Sequence, residues 1–141
     1  MLKNVHPLLT GPLLSLLDRL GHGDVLGLVD RNFPAYRYGA PVIDFRGVDT
    51  AAAAEALLSV FPLDSFVEDA VHRMEIDDAP DEINAATERL QKAADAAEGR
   101  PVRIASVERF AFYEMARPTS VFVQTGETIP YSCYLLRKGV V

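Results

Sequence analysis

Apolar runs of strand length that alternate with amphipathic stretches of helix length limit most strongly what this chain can become. Val25 to Val29 is such a run, closed by Asp30 and the Asn32-Phe33-Pro34 break. Val42 to Phe45 is a second, entered through Gly39-Ala40-Pro41 and left through Arg46-Gly47. Ahead of them, leucines at 13, 14, 16, 17 and 20 recur with helical spacing; Thr10 can cap that helix, Pro12 suits its first turn and Gly21 can end it. Asp49 caps an alanine-rich helix that stops before Pro62. Residues 70 to 76 alternate, with Ala70, His72, Met74 and Ile76 on one face and Val71, Arg73 and Glu75 on the other, as in a strand.

The second half repeats the alternation. Asp78 and Pro80 open a predicted long helix with Ile83, Ala86, Leu90 and Ala94 facing inward, ended by Gly99. Val102 to Val107 reads as a strand, residues 108 to 116 as a short helix, and Ser120 to Gln124 and Tyr131 to Arg137 as two strands around a Gly126-Glu127 turn. The expectation is one layered α/β domain over residues 1–141, with a mainly parallel central sheet flanked by helices and an antiparallel strand at its edge. At 141 residues the chain can bury roughly two-thirds of its unfolded surface without staples.

Composition removes several classes of function. Fourteen basic against 20 acidic residues leave a net charge of -6, which repels phosphate backbones, so no nucleic-acid partner is expected. The leucines of residues 8 to 17 are interrupted by Pro12 and followed by Asp18 and Arg19, unlike a secretory leader, and no run reaches the roughly 20 apolar residues of a membrane span. A lone cysteine, Cys133, fits a reducing compartment, and the cytoplasm is the expected location. His6, His22 and His72 show no metal-ligand spacing, and no metal is expected. Gly21-x-Gly23 is not a nucleotide loop, because it precedes its strand and Leu26 stands where the third glycine belongs.

The candidate chemistry begins at Gly21-His22-Gly23-Asp24, which puts an imidazole and a carboxylate on one tight turn between helix and strand. His22 is the candidate catalytic residue, against the alternative of a cation at the end of the first helix. Asp24 could orient the imidazole or simply close the turn into the strand. Asp30, at the strand's far end, could accept hydrogen bonds from a ligand or cap its loop. Arg109 offers five donors to a ligand or pairs with one of the many carboxylates. Phe110, Phe112 and Tyr113 read as core or interface aromatics. His72 is either a second imidazole of the site or a hydrogen-bonded histidine on a strand face.

In this order, Leu20-Gly21-His22-Gly23-Asp24, Asp30-x-x-Phe33-Pro34-Ala35, Leu63-Asp64-Ser65-Phe66, Arg109-Phe110-Ala111-Phe112-Tyr113-Glu114, Thr125-Gly126-Glu127 and Leu135-Leu136-Arg137-Lys138-Gly139-Val140 span nearly the whole chain. Together they resemble the fucose mutarotase and ribose pyranase family, closer to its fucose branch. The resemblance implies a cytoplasmic enzyme without cofactor that interconverts the α and β anomers of a free monosaccharide. It also implies a ring-like homo-oligomer, commonly a decamer, with sites at subunit contacts. It makes His22 the proton donor and Asp30, Arg109, Tyr131 and the residue at Cys133 sugar binders. Where the family has Tyr, a small residue, then Asn, this chain has Tyr131-Ser132-Cys133. In an extended segment Tyr131 and Cys133 would share a face and Ser132 would point away. A thiol is weak as donor and acceptor where a carboxamide is good at both, so the preferred sugar is expected to differ. A mid-strand cysteine without a partner is packing, not a nucleophile.

Overall fold

The computed structural model describes residues 1–141. Its centre is a six-stranded sheet in the order β2-β5-β1-β6-β3-β4, with β1 Val25–Val29, β2 Val42–Phe45, β3 Val71–Met74, β4 Ile104–Val107, β5 Val121–Thr125 and β6 Tyr134–Arg137. Parallel pairs join β2 to β5, β5 to β1 and β3 to β4. Only β6 runs the other way, paired antiparallel to β1 on one side and to β3 on the other. The sheet is therefore mainly parallel, but its antiparallel strand is central, not at the edge. Nor do the last two strands form a hairpin, since β1 lies between β5 and β6.

The sheet's two faces are dressed unequally. Leu26, Leu28, Val121, Val123, Tyr134 and Leu136 turn to one face, into a cluster that also takes Leu13 and Leu17 of α1 (Gly11–Arg19), Leu57 of α2 (Thr50–Leu58) and Leu90 of α3 (Ala85–Glu98). Thr10 Oγ1 accepts the Leu13 amide at 3.5 Å and Asp49 Oδ1 that of Ala52 at 2.9 Å, so both expected N-caps are in place. The other face carries Val29, Phe122, Met74 and Leu135 under a smaller layer, Phe112 of α4 (Arg109–Met115) and the segment around Phe33, Ala35 and Tyr38. That layer leaves His72 of β3 and Arg137 of β6 partly open to solvent.

The long helix begins later than the sequence pattern suggests. Asp78 adopts a left-handed φ of 62°, Ile76 bridges Ala79, and the helix starts only where Asn84 Oδ1 accepts the Thr87 amide at 2.9 Å. Ile83 therefore precedes the helix and stands 57% exposed instead of facing inward. The alternating segment 70–76 contributes only Val71–Met74 to the sheet, and the strand expected from Val102 begins at Ile104. No helix is long and apolar enough to cross a membrane.

Candidate functional site

Residues that leave the sheet at the carboxyl ends of β1, β3 and β4, and those that enter β6 beside them, surround a cavity of about 190 Å³. Its buried walls are Asp30, Phe33, Met74 and Cys133, while Arg109 and Tyr131 close it from the outside. That volume is below the roughly 300 Å³ at which drug-sized pockets begin and suits one small molecule. A larger hollow of 590 Å³ lies between α2 and α3, lined by residues such as Ala51, Leu58, Arg89 and Ala93, and holds none of the candidate residues.

Asp30 acts in two ways at once. Its Oδ1 accepts the amides of Asn32 at 2.9 Å and Phe33 at 3.1 Å, which caps the loop. Its Oδ2 takes no N–H from the chain, and the carboxylate is 6% exposed at the cavity wall. Arg109 pairs with Asp77 at 3.1 Å and lies over the Phe110 ring with 4.7 Å to its centroid. Its Nε is nevertheless buried without an acceptor. A buried donor left unpaired is costly, so this atom is where a bound oxygen would return most.

Tyr131 and Cys133 both line the cavity, though not by the alternation of a strand. Tyr131 has a left-handed φ of 63°, and β6 begins only at Tyr134. Ser132 turns away, fully buried, with Asn84 Nδ2 at 3.4 Å from its Oγ. Glu127 holds the approach to this segment: its Oε1 accepts the amides of Thr128 and Ile129, and its Oε2 accepts that of Thr50 at the start of α2. Asn84 Nδ2 also donates to Pro130 O at 3.0 Å. Burial above all, and then the nearby Asp30 carboxylate, push the Cys133 thiol well above its usual range, so it stays neutral. Burial likewise raises the Tyr113 phenol.

His22 is not in this cavity. It precedes β1 while Asp30 follows it, so the length of the strand, roughly 20 Å, separates them. Its Nε2 lies 3.1 Å from Oδ2 of Asp64, a carboxylate 1% exposed that also accepts Arg137 Nε at 2.9 Å and, through Oδ1, the Phe66 amide at 3.0 Å. The Phe66 amide first, then Arg137 and His22, hold the Asp64 carboxyl below the usual carboxylate range against the opposing effect of burial. Gly23 has φ 87°, and a Cβ there would stand 3.1 Å from Arg137 Nη2, so the turn that presents His22 needs this glycine.

Two supporting assignments are corrected. Asp24 does not orient the ring: its Oδ2 accepts the Gly21 amide at 2.7 Å and closes the turn. His72 does not reach the cavity, and its ring has no side-chain hydrogen-bond partner in the chain; half-buried on β3, it has its pKa lowered by burial against the opposing charge of Asp69. Of the aromatic trio, Phe112 is core, Tyr113 lines the cavity and Phe110 is 64% exposed. Sequence reasoning missed Asp64, Arg137, Glu127 and Asn84 as functional neighbours, although the first three lie in the motifs quoted above. No three His, Cys, Asp or Glu side chains converge as a metal site.

Residues 3–141 match the model of the RbsD / FucU transport protein family. The chain is 36% identical over 140 residues to the L-fucose mutarotase of Glaesserella parasuis serovar 5, covering 99% of this chain and 96% of that protein. The structure of FucU from Bifidobacterium longum superposes with a TM-score of 0.92 at 32% identity, covering 99% of each chain. That of the fucose mutarotase from Streptococcus pneumoniae in complex with L-fucose superposes with a TM-score of 0.90 at 29% identity, again over 99% of each.

Proposed function

From the premise that this chain belongs to the RbsD / FucU family, a family of sugar mutarotases and sugar-binding proteins, we propose that it is a cytoplasmic mutarotase for L-fucose or a related monosaccharide. The reaction exchanges α and β anomers by opening and reclosing the pyranose ring. His22 takes the proton of the anomeric hydroxyl as the C1–O5 bond breaks and C1=O1 forms. The imidazolium then gives a proton to O5, so the open aldehyde appears with no net change in protons. Reclosure on the other face of C1 retraces these steps. Positioned acid/base catalysis of this kind contributes about 10² to 10⁴ in rate.

The observation that carries the reading is the division of labour between the two ends of the sheet. A small cavity with Asp30, Arg109 and Tyr131 at one end has sugar-sized room, an acceptor without an N–H donor and a donor without an acceptor. The other end presents a half-exposed imidazole anchored on a buried carboxylate. One chain cannot bring the two together across roughly 20 Å of strand. The working site is therefore shared: the cavity of one copy holds the sugar and His22 of a neighbouring copy moves the proton. Exposed Phe66 beside His22 and exposed Phe110 beside Arg109 supply apolar surface at both ends for a head-to-tail contact, and such contacts close into rings. No cofactor takes part.

Exchange NMR on both anomers of a panel of aldoses tests the reading. Interconversion of L-fucose or a close relative faster with the protein than without is the expected result; no acceleration for any aldose rejects it. The buried, neutral Cys133 thiol in the cavity wall favours one other reading, a sugar-binding protein without catalysis. In that case sugar binds, anomers do not exchange faster, and His22→Ala leaves affinity unchanged.

A further inference from the structure

The turn at residues 64–66 holds the His22 ring from two sides. Asp64 supplies the carboxylate 3.1 Å from Nε2, and Phe66 stands edge-on to the imidazole with ring centroids 5.6 Å apart. The turn is itself fixed to the end of β6. Asp64 N donates to Arg137 O at 3.0 Å, Gly139 N donates to Pro62 O at 2.8 Å, and Leu63 bridges Lys138. At Gly139 a Cβ would fall 2.5 Å from Leu63 O, so the loop lies closer to the strand end than a side chain would permit. The Asp64 carboxylate has three donors or partners, Phe66 N, Arg137 Nε and His22 Nε2, and is 1% exposed. The carboxylate two residues along the chain, Asp24, accepts the Gly21 amide instead.

We propose that Asp64 is the positioning residue of the His22 site: it accepts the Nε2 hydrogen and so commits Nδ1 as the atom that exchanges protons with the sugar. An ionised carboxylate can only accept, so the nitrogen facing it carries the hydrogen in the neutral ring and the lone pair belongs to the other nitrogen. Asp64 also steadies the imidazolium formed while the ring holds the anomeric proton. The Phe66 amide and, after it, Arg137 on the same Oδ2 as His22 keep the carboxyl ionised, and the two bonds fix its direction. Phe66 blocks rotation of the ring away from this pairing. A carboxylate at this place, 42 residues along the chain from the histidine, gives the imidazole one tautomer before any sugar arrives.

The inference rests on His22 as the proton-moving group, and its test separates the two claims. In nitrogen-15-labelled wild-type protein at pH 8, long-range proton–nitrogen correlation spectra are expected to show His22 with a protonated Nε2 and a bare Nδ1. Asp64→Asn is expected to give a mixture of tautomers and to lower kcat for anomer exchange by about 10²-fold while KM changes by less than about threefold. Asp64→Glu restores part of that loss. Arg137→Gln keeps the Nε2–H tautomer and lowers kcat by less than about tenfold. A protonated Nδ1 in the wild type, or a folded Asp64→Asn variant with unchanged kcat, overturns the proposal. If Asp64→Asn does not fold, the wild-type and Arg137→Gln spectra decide alone. If no aldose shows exchange, the mutarotase reading falls, and the tautomer assignment is judged by the spectra.

Discussion

His22 and Asp30 flank one strand, the first just before β1 and the second just after it, so a single chain offers its imidazole and the Asp30 carboxylate at opposite ends of the sheet. The proposed sharing of the site between neighbouring copies makes a complementation experiment informative. His22→Ala and Asp30→Asn chains, each inactive alone, are expected to recover about a quarter of wild-type mutarotation when unfolded together and refolded as mixed oligomers, since half the chains supply each intact residue at every contact. Recovery at the level of the separate variants would mean that both residues act from the same chain.

Asp64 predicts an acid limb. Its folded pKa lies below the ordinary aspartate value of 3.8, so the ionised carboxyl adds stability that is complete above that value and is lost as pH falls through the folded value. Urea midpoints across pH 2 to 7 are expected to fall more steeply below pH 4 for the wild type than for Asp64→Asn, with the two curves converging at the acid end. Parallel curves would show that the Phe66 amide, Arg137 and His22 do not hold the carboxyl as described.

Most strands were legible in the sequence as short apolar runs between turns and β3 by its alternation, and the first two helices because Thr10 and Asp49 sit where caps belong, whereas the Asn84 cap of α3 was not. Strand order was not legible either. Nothing in the spacing of Ser120–Gln124 and Tyr131–Arg137 says that β1 inserts between them; the pairing is decided by long-range fit, such as Gly27 opposite both Phe122 and Leu135. A Cβ on Gly27 would meet the Phe122 ring at 2.4 Å, a contact that local propensity cannot foresee. In the candidate site, His22 and Asp30 stood out because one lies on a glycine-flanked turn and the other at the end of an apolar strand, although Asp30 is itself buried. Asp24 was weighed because it is near in sequence, but the carboxylate that reaches the ring comes from residue 64, brought by a loop crossing that only the fold defines.

Cys133 forms part of the cavity wall beside Asp30. Its thiol is neutral and inaccessible, so a thiol reagent such as dithionitrobenzoate is expected to leave it intact in the native protein and to react at once on unfolding. Cys133→Asn adds a donor and an acceptor beside Asp30. The ratio of kcat/KM between sugars that differ by one hydroxyl is expected to shift by about tenfold or more, towards the sugar that carries the additional hydroxyl. An unchanged ratio would remove Cys133 from the residues that contact the sugar.

Tyr131 separates stability from activity. A tyrosine at φ 63° adopts a conformation that glycine enters freely, and an observed left-handed residue of this size costs on the order of 1 kcal/mol or more. The ring packs against the cluster that holds Phe33, Met74 and Cys133 and lines the cavity, and the preceding Pro130 carbonyl accepts from Asn84 Nδ2 at 3.0 Å. Tyr131→Gly relieves the backbone and gives some of that gain back as added freedom of the unfolded chain, so the melting temperature is expected to stay level or rise slightly, by an amount matching about 1 kcal/mol or less. KM for the sugar should rise by about tenfold, because the hydroxyl and the stacking face are both gone. A lowered melting temperature with KM unchanged would mean that Tyr131 is held in its strained conformation by packing alone.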